Sequence, residues 1–386
     1  MERSDWLAVI EELGPQFAAG AAERDTHDTF VADHYPPLKE RGVISALVPA
    51  ELGGGGASHS TMAAMLRQLA RYDGSTALAL SMHQHLVAAQ VVNHFQGKPA
   101  PILERVARER IVLVSTGARD WLESTGGARA VDGGYRVSAR KAFASGAPAG
   151  DVAVTSVPFE DPEAGWQVLH FGVPLAAPGV SIEQDWEAHG MRATGSHTIV
   201  FDDVFVPESA ITLRRPRGEF HGIWNVIVTA AMPLITGVYV GLAEEAARIA
   251  LPLARRRADD VTVQWAVGEM QSALSVAGAL HDRMVALADD LHFVPDVDLS
   301  SEVLALKSQA IEEAQHAVEA AIEAAGGPGY YRRTGLERIR RDIRAGDFHP
   351  LPRKQQLSFT GRHALGLPPV EVPVYEQRRE PAAASR

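Results

Sequence analysis

Apolar residues recur at three- and four-residue spacing through residues 1–108, in "WLAVIEEL", "ADHYPPLKERGVISALV", "STMAAMLRQLARYD" and "STALALSMHQHLVAAQVVNHF". That period puts the apolar positions on one face of a helix, so the segment is expected to be an N-terminal α-helical domain. Between two of the helices lies "PAELGGGGASHS". Four glycines suggest a phosphate loop, but no Lys-Ser/Thr follows and no strand precedes, so a flexible connection is predicted instead. Over 109–212 the pattern changes to short β-branched runs: "RIVLVST", "GGYRVSARKAFAS", "GDVAVTSV", "WQVLHFGVP", "VSIEQDW" and "HTIVFDDVFVP". Turns such as Asp132-Gly133-Gly134 and Ala147-Pro148 separate them, with no helix between, which predicts an antiparallel β barrel or sandwich.

Long helices return over 213–375. "HGIWNVIVTAAMPLITGVYVGLAEEAARIALPLARRRA" and "TVQWAVGEMQSALSVAGALHDRMVALADDLHF" have the length for roughly 45 Å each at 1.5 Å per residue. A third, "SSEVLALKSQAIEEAQHAVEAAIEAAGG", starts at capping serines and ends at Gly326-Gly327. Leu304, Ile311, Val318 and Ala325 recur every seven positions along it, a bundle seam that is expected to exceed what one bundle covers and so to drive assembly. Residues 376–386, "EQRREPAAASR", are expected to be a disordered tail.

Composition narrows the function. The net charge is −11, from 37 Lys+Arg against 48 Asp+Glu, so no basic surplus is available for nucleic-acid phosphates. The clusters Arg255–Arg257 and Arg338–Arg341 read as solvated helix faces. Cysteine is absent, which excludes disulfides, thiolate nucleophiles and iron–sulfur clusters. The N-terminus has no apolar signal core and no run of about 18 apolar residues occurs, so a cytoplasmic protein without membrane contact is expected. His83 and His85 are two apart on a predicted helix, which points their rings about 200° apart and argues against a shared metal.

Three stretches carry a resemblance: "VDGGYRVSARKAFASGAPAGD", "HGMRATGSHTIVFDDVFVP" and "AAGGPGYYRRTGLERIRRD". In this order and spacing the chain resembles the acyl-CoA dehydrogenase superfamily. The resemblance implies an α+β fold: an N-terminal helical domain, a central β-barrel or sandwich domain and a C-terminal four-helix bundle. It also implies a homotetramer, with flavin between the β domain and the bundle. The dehydrogenases need one glutamate as base, eight residues after the aspartate of an Arg-Asp pair. Counting from Arg341-Asp342, that position is Pro350. A minority carry it on the first long bundle helix, which with Gly241 as reference is Ala231. Neither residue can take a proton.

His349 stands one residue before the vacant position. "RRDIRAGDFHP" thereby resembles the flavin-dependent monooxygenase branch, of the dibenzothiophene monooxygenase and sugar N-oxygenase type. That resemblance implies catalytic roles for His349 and Ser145. It implies a cofactor site of Thr116, Ser145, Trp186, Ser196, Gly326 and Gly327, and a substrate pocket of His85, Trp186 and His349. The cofactor implied is FAD or FMN, supplied as FADH2 or FMNH2 by a separate flavin reductase and used with O2 on an aromatic, heteroaromatic or amine substrate. A histidine titrating near neutrality suits a proton relay there, whereas a carboxylate would add charge beside an anionic flavin. Two alternatives stand: an acyl-CoA dehydrogenase with a relocated base such as Glu219, and a non-catalytic flavin-binding protein. His349 is expected in a loop, where it either faces the flavin or caps a helix end, and where its ring contributes within about 1 kcal/mol of packing.

Overall fold

The computed structural model describes residues 1–117 and 121–370. The expected tail at 376–386, and the end of the bundle domain at 375, lie outside the described residues. Six α-helices come first: α1 (Arg3–Ala19), α2 (Ala21–Thr26), α3 (Tyr35–Glu40), α4 (His59–Ala70), α5 (Gly74–Phe95) and α6 (Pro101–Glu109). Local chemistry sets their starts. Ser58 Oγ accepts the Thr61 N–H at 3.1 Å to begin α4, and Asp73 Oδ1 accepts the Thr76 N–H at 2.8 Å to begin α5. The glycine run is packed, not flexible. A Cβ on Gly54 would lie 2.2 Å from the Val48 carbonyl oxygen, and one on Gly55 2.6 Å from the Trp6 ring. The glycines are there for close approach.

Eight strands follow: β1 (Leu113–Ser115), β2 (Gly127–Val131), β3 (Gly134–Lys141), β4 (Val152–Asp161), β5 (Gly165–Pro174), β6 (Val180–Glu183), β7 (Thr198–Pro207) and β8 (Ile211–Pro216). They form two four-stranded sheets, in the orders β1-β4-β5-β8 and β2-β3-β7-β6. Val137, Phe171, Ile199 and Phe201 lie in the core between them, so the fold is a sandwich. One pair departs from the antiparallel expectation: β1 runs parallel to β4. The β2–β3 hairpin, which belongs to the other sheet, intervenes between these two strands and brings the chain back in the same direction. β8 also carries strand structure past 212, where helices were expected to resume.

The C-terminal helices are α7 (Ile223–Ala254), α8 (Val261–Leu287), α9 (Val297–Ala325), α10 (Leu336–Asp342) and α11 (Arg353–Ala364). α7 and α8 both pack on α9, and α11 adds to it. Leu304, Ile311, Val318 and Ala325 are 0%, 3%, 0% and 2% exposed. The heptad seam is therefore consumed inside the chain, and the expectation that it overflows to drive assembly is corrected. A second departure concerns α7. With its short extension to Arg257, it is long and apolar enough to cross a membrane, but 94% of its most apolar window is buried in the protein. It is the core helix of the bundle. Pro233 deprives it of one N–H. Around that point the ring nitrogens of His59 (α4) and His281 (α8) reach the carbonyls of Ala230 and Pro233, at 2.8 and 3.0 Å.

Candidate active site

α5, α7, the end of β1 and the loop after α10 enclose a cavity of about 160 Å³. Its walls are mostly apolar: Met82 and Leu86 from α5, and Ile227, Ala231 and Ile235 from α7. Trp121 and Trp224 stack in parallel along one side, with ring centroids 5.1 Å apart and planes 6° from coplanar. No carboxylate lines it among the described residues. Ala231 and Pro350, the two positions at which the resemblance places a catalytic glutamate, both do, beside His349. Glu219 is exposed and is not part of the wall, so it is no relocated base.

His349 follows a short 3-10 turn (Ile343–Phe348) and its ring turns inward. Nε2 hydrogen-bonds the hydroxyl of Tyr239, a fully buried residue of α7. The helix-cap alternative is thereby set aside, because the ring meets a side chain and no helix carbonyl. Lys307 of α9 fixes the backbone by donating to the carbonyls of His349 (3.0 Å) and Leu351 (3.1 Å). Burial pushes the Lys307 ammonium down to about 8. Burial, then the nearby Lys307 and His85, push His349 down to about 3. The expected titration near neutrality is corrected: His349 is a neutral imidazole across the physiological range. Burial raises Tyr239 well above the usual phenol range, so its hydroxyl keeps its proton. With no other partner for that hydroxyl among the described residues, Tyr239 donates to Nε2 and leaves the ring proton on Nδ1.

His85 reaches the same cavity from α5. Its Nδ1 lies 3.3 Å from the Ser81 carbonyl, which can only accept. The proton is therefore on Nδ1 and Nε2 keeps a lone pair. Burial holds this ring down at about 4. His83 turns the other way. One ring nitrogen donates to the Ile44 carbonyl and the other accepts the Leu113 N–H, each at 2.9 Å, tying α5 to β1.

The remaining expected residues separate into other places. Ser145 Oγ and Ser196 Oγ are 2.7 Å apart, Ser196 Oγ and Thr194 Oγ1 are 2.6 Å apart, and Thr194 donates to the Met191 carbonyl at 2.8 Å. Trp186 Nε1 donates to the same carbonyl at 3.1 Å. Its ring meets Phe143 edge-on at 6.0 Å and is not among the residues that line this cavity. Thr116 is buried and donates to Thr155 at 2.8 Å. Ser115 and Gly117 line the cavity instead of Thr116, because side chains alternate along an extended segment. Gly326 and Gly327 follow the end of α9, 19 residues beyond Lys307 and so about 28 Å along the axis. They do not join this cavity.

Met191 is the hub that links the hydroxyl chain to the bundle. Its N–H donates to Asp342 Oδ1 at 2.6 Å. Burial pushes that carboxyl up to about 7. Beside it, a Cβ on Gly190 would lie 2.3 Å from the Arg341 carbonyl oxygen. Arg341 is not a solvated member of its cluster. Its guanidinium donates to Asp25 at 2.6 and 2.9 Å and to Glu337 at 2.9 Å, joining α10 to the N-terminal helices. Sequence reasoning missed Tyr239, Lys307, His170 and the latch role of Asp342. Lys307 left a signal, as a lysine one turn from Leu304 on the apolar seam. Tyr239 sits in a continuous apolar run and left none.

Profiles for the N-terminal, middle and C-terminal domains of acyl-CoA dehydrogenases match residues 9–97, 120–204 and 234–353. The chain belongs to the acyl-CoA dehydrogenase family. Within that family it is 29% identical to the amino sugar nitrososynthase DnmZ of Streptomyces peucetius, over 93% of each chain. It is 28% identical to the putative acyl-CoA dehydrogenase YdbM of Bacillus subtilis, over 90% of this chain and 93% of that one. Identity to the dibenzothiophene monooxygenase of Rhodococcus erythropolis is 26%, over 94% and 93%. Among solved structures, KijD3 in complex with FMN and dTDP-3-amino-2,3,6-trideoxy-4-keto-3-methyl-D-glucose aligns with a TM-score of 0.82 at 27% identity, over 93% of both chains.

Proposed function

We propose that this family member is a flavin-dependent monooxygenase that uses flavin reduced elsewhere, and O2, on a small aromatic, heteroaromatic or amine substrate. The observation that carries the reading is that Ala231 and Pro350 occupy both glutamate positions in a cavity where, among the described residues, no carboxylate lines the wall and neutral His349 stands beside them. Abstraction of an α-proton from a thioester needs a base stronger than any described residue on that wall.

The residues present fit a flavin. The Ser145–Ser196–Thr194 chain offers hydroxyls that donate or accept, and half-exposed Phe143 with Trp186 offers an aromatic edge beside them. Ser145, Ser196 and Trp186 would hold the ring system, with Thr116 supporting the wall through Thr155. The FMN complex of KijD3 supports the mononucleotide. Reduced flavin, when bound, supplies the electrons that activate dioxygen. The chain's own part is threefold. The apolar wall excludes water, His85 Nε2 accepts a hydrogen bond from substrate, and the Nδ1–H of His349 donates a hydrogen bond to developing negative charge. A separate reductase is the source of reduced flavin in this reading. Assembly to a homotetramer is assigned to α8, on which Val261, Trp265 and Val276 are 49%, 68% and 46% exposed.

Two measurements test the proposal. Under anaerobic conditions, flavin-loaded protein mixed with a panel of acyl-CoAs is expected to keep its oxidised spectrum. With reduced FMN, isotopically labelled O2 and a panel of aromatic and amine compounds, one labelled oxygen atom is expected in product. Bleaching by a thioester would overturn the reading in favour of the dehydrogenase.

A further inference from the structure

His170 of β5 lines the same cavity, and no expectation from sequence gave it a role. Its Nε2 accepts a hydrogen bond from Arg215 Nε at 3.0 Å. A guanidinium can only donate, so Nε2 must carry the lone pair and the ring proton must sit on Nδ1. Arg215 cannot swing away. It is 1% exposed, its Nη1 donates to the Leu122 carbonyl at 2.6 Å, and its guanidinium lies 5.4 Å from the centre of the Trp224 ring. Burial, then Arg215, hold the His170 ring down at about 3, which keeps it neutral. Its Nδ1–H has no acceptor among the described residues, and an N–H without a partner in an apolar cavity favours any ligand that supplies one.

We infer that His170 is a substrate-anchoring donor, its tautomer locked by Arg215, and that the cavity takes a planar uncharged ring bearing a lone-pair heteroatom. This rests on the cavity being the substrate pocket of the oxygenase proposed above. Three features set the ligand class. Among the described residues no Asp, Glu, Lys or Arg lines the cavity, so these walls offer a charged ligand no compensation for desolvation. Trp121 and Trp224, stacked on each other, give the wall two aromatic rings against which a planar ligand can pack. The volume, about 160 Å³, is close to that of an engineered protein cavity of about 150 Å³ that binds benzene. A ring nitrogen or ring carbonyl on such a ligand would meet Nδ1–H, while His85 Nε2 accepts a hydrogen bond from any N–H or O–H the ligand carries.

Benzene and pyridine have nearly the same shape and differ by one in-plane acceptor, which makes them the probes. Their affinities for the flavin-free protein are measured by calorimetry, under mildly alkaline conditions where pyridine is uncharged. Comparing the pyridine-to-benzene affinity ratio between proteins cancels the difference in hydration of the two probes. In His170→Phe the ratio is expected to fall about tenfold, equivalent to about 1.4 kcal/mol and to one hydrogen bond. In His170→Asn, whose amide N–H overlays Nδ1, it should stay within about threefold of wild type. Nitrogen-15 NMR of the wild-type imidazole gives a second readout that needs no variant: an Nδ1–H signal that moves with pyridine and not with benzene. An unchanged ratio in His170→Phe, an equal loss in both variants, an Nε2–H tautomer, or binding of neither probe would overturn the anchor. The labelled-oxygen and acyl-CoA measurements judge the oxygenase reading separately, so either inference can fail without the other.

Discussion

His349→Ala is the most informative single change. The ring is half-buried and its one side-chain partner is the hydroxyl of Tyr239, which is 0% exposed. Deleting the imidazole removes the one acceptor that this hydroxyl has among the described residues. An unsatisfied buried donor costs about 1–3 kcal/mol, more than the 1 kcal/mol expected for a loop residue. Tyr239→Phe removes donor and need together and should cost only about 0.5–1.5 kcal/mol. In the double variant nothing is left unpaired, so its loss should fall short of the sum of the singles by roughly 1 kcal/mol or more, the coupling that a double-mutant cycle isolates. Urea denaturation of the four proteins gives all the terms. Oxygenation should slow by about 10²- to 10⁴-fold in His349→Ala, with hydrogen peroxide released in place of product. Because the ring is held down at about 3, the wild-type pH–rate profile should show no limb from His349 between about pH 5 and 8. Additive losses in the cycle, or a limb near pH 6.5 that disappears in His349→Ala, would refute the reasoning.

Three further outcomes are expected. Asp342 has its folded pKa raised from 3.8 to about 7, so it binds its proton more tightly in the folded state, and wild-type stability should decline as pH rises from about 4 to 7. Asp342→Asn keeps an acceptor for the Met191 N–H and should flatten a decline of up to roughly 4 kcal/mol, read by denaturation across that range; an identical pH slope in the variant would count against burial as the cause. Leu304→Ala empties a fully buried point on α9 and should cost about 2–5 kcal/mol in urea melts, with a loss below about 1 kcal/mol contradicting the packing described. Trp265→Glu, on the exposed face of α8, should lower the mass seen by sedimentation while leaving unfolding within about 0.5 kcal/mol of wild type; a wild-type protein that is already monomeric would sink the assembly proposal.

Much of the fold was legible because its causes are local. Three-to-four spacing marked the helices, β-branched runs marked the strands, and the seven-residue recurrence of Leu304, Ile311, Val318 and Ala325 marked a helix buried along one side. Ordered motifs carried the family resemblance, and counting from Arg341-Asp342 located the missing base at Pro350. The sequence did not contain the direction of β1 against β4, since pairing across an intervening hairpin depends on where the other sheet lies. The family resemblance pointed to His85, Ala231 and Pro350 around one site, but nothing in the sequence indicated that His170 of β5 joins them in the cavity.

Protonation was the least legible property. From sequence His349 is a histidine with an ordinary neutral-range titration. Only packing brings Lys307, Tyr239 and His85 around it, and the resulting desolvation makes it neutral. The tautomer of His170 has the same origin, because Arg215 is adjacent to it only through the pairing of β5 with β8. Periodicity along a chain reports which face of an element is buried. Charge state and proton position depend on what lies opposite that face, and that is decided only when distant segments pack together.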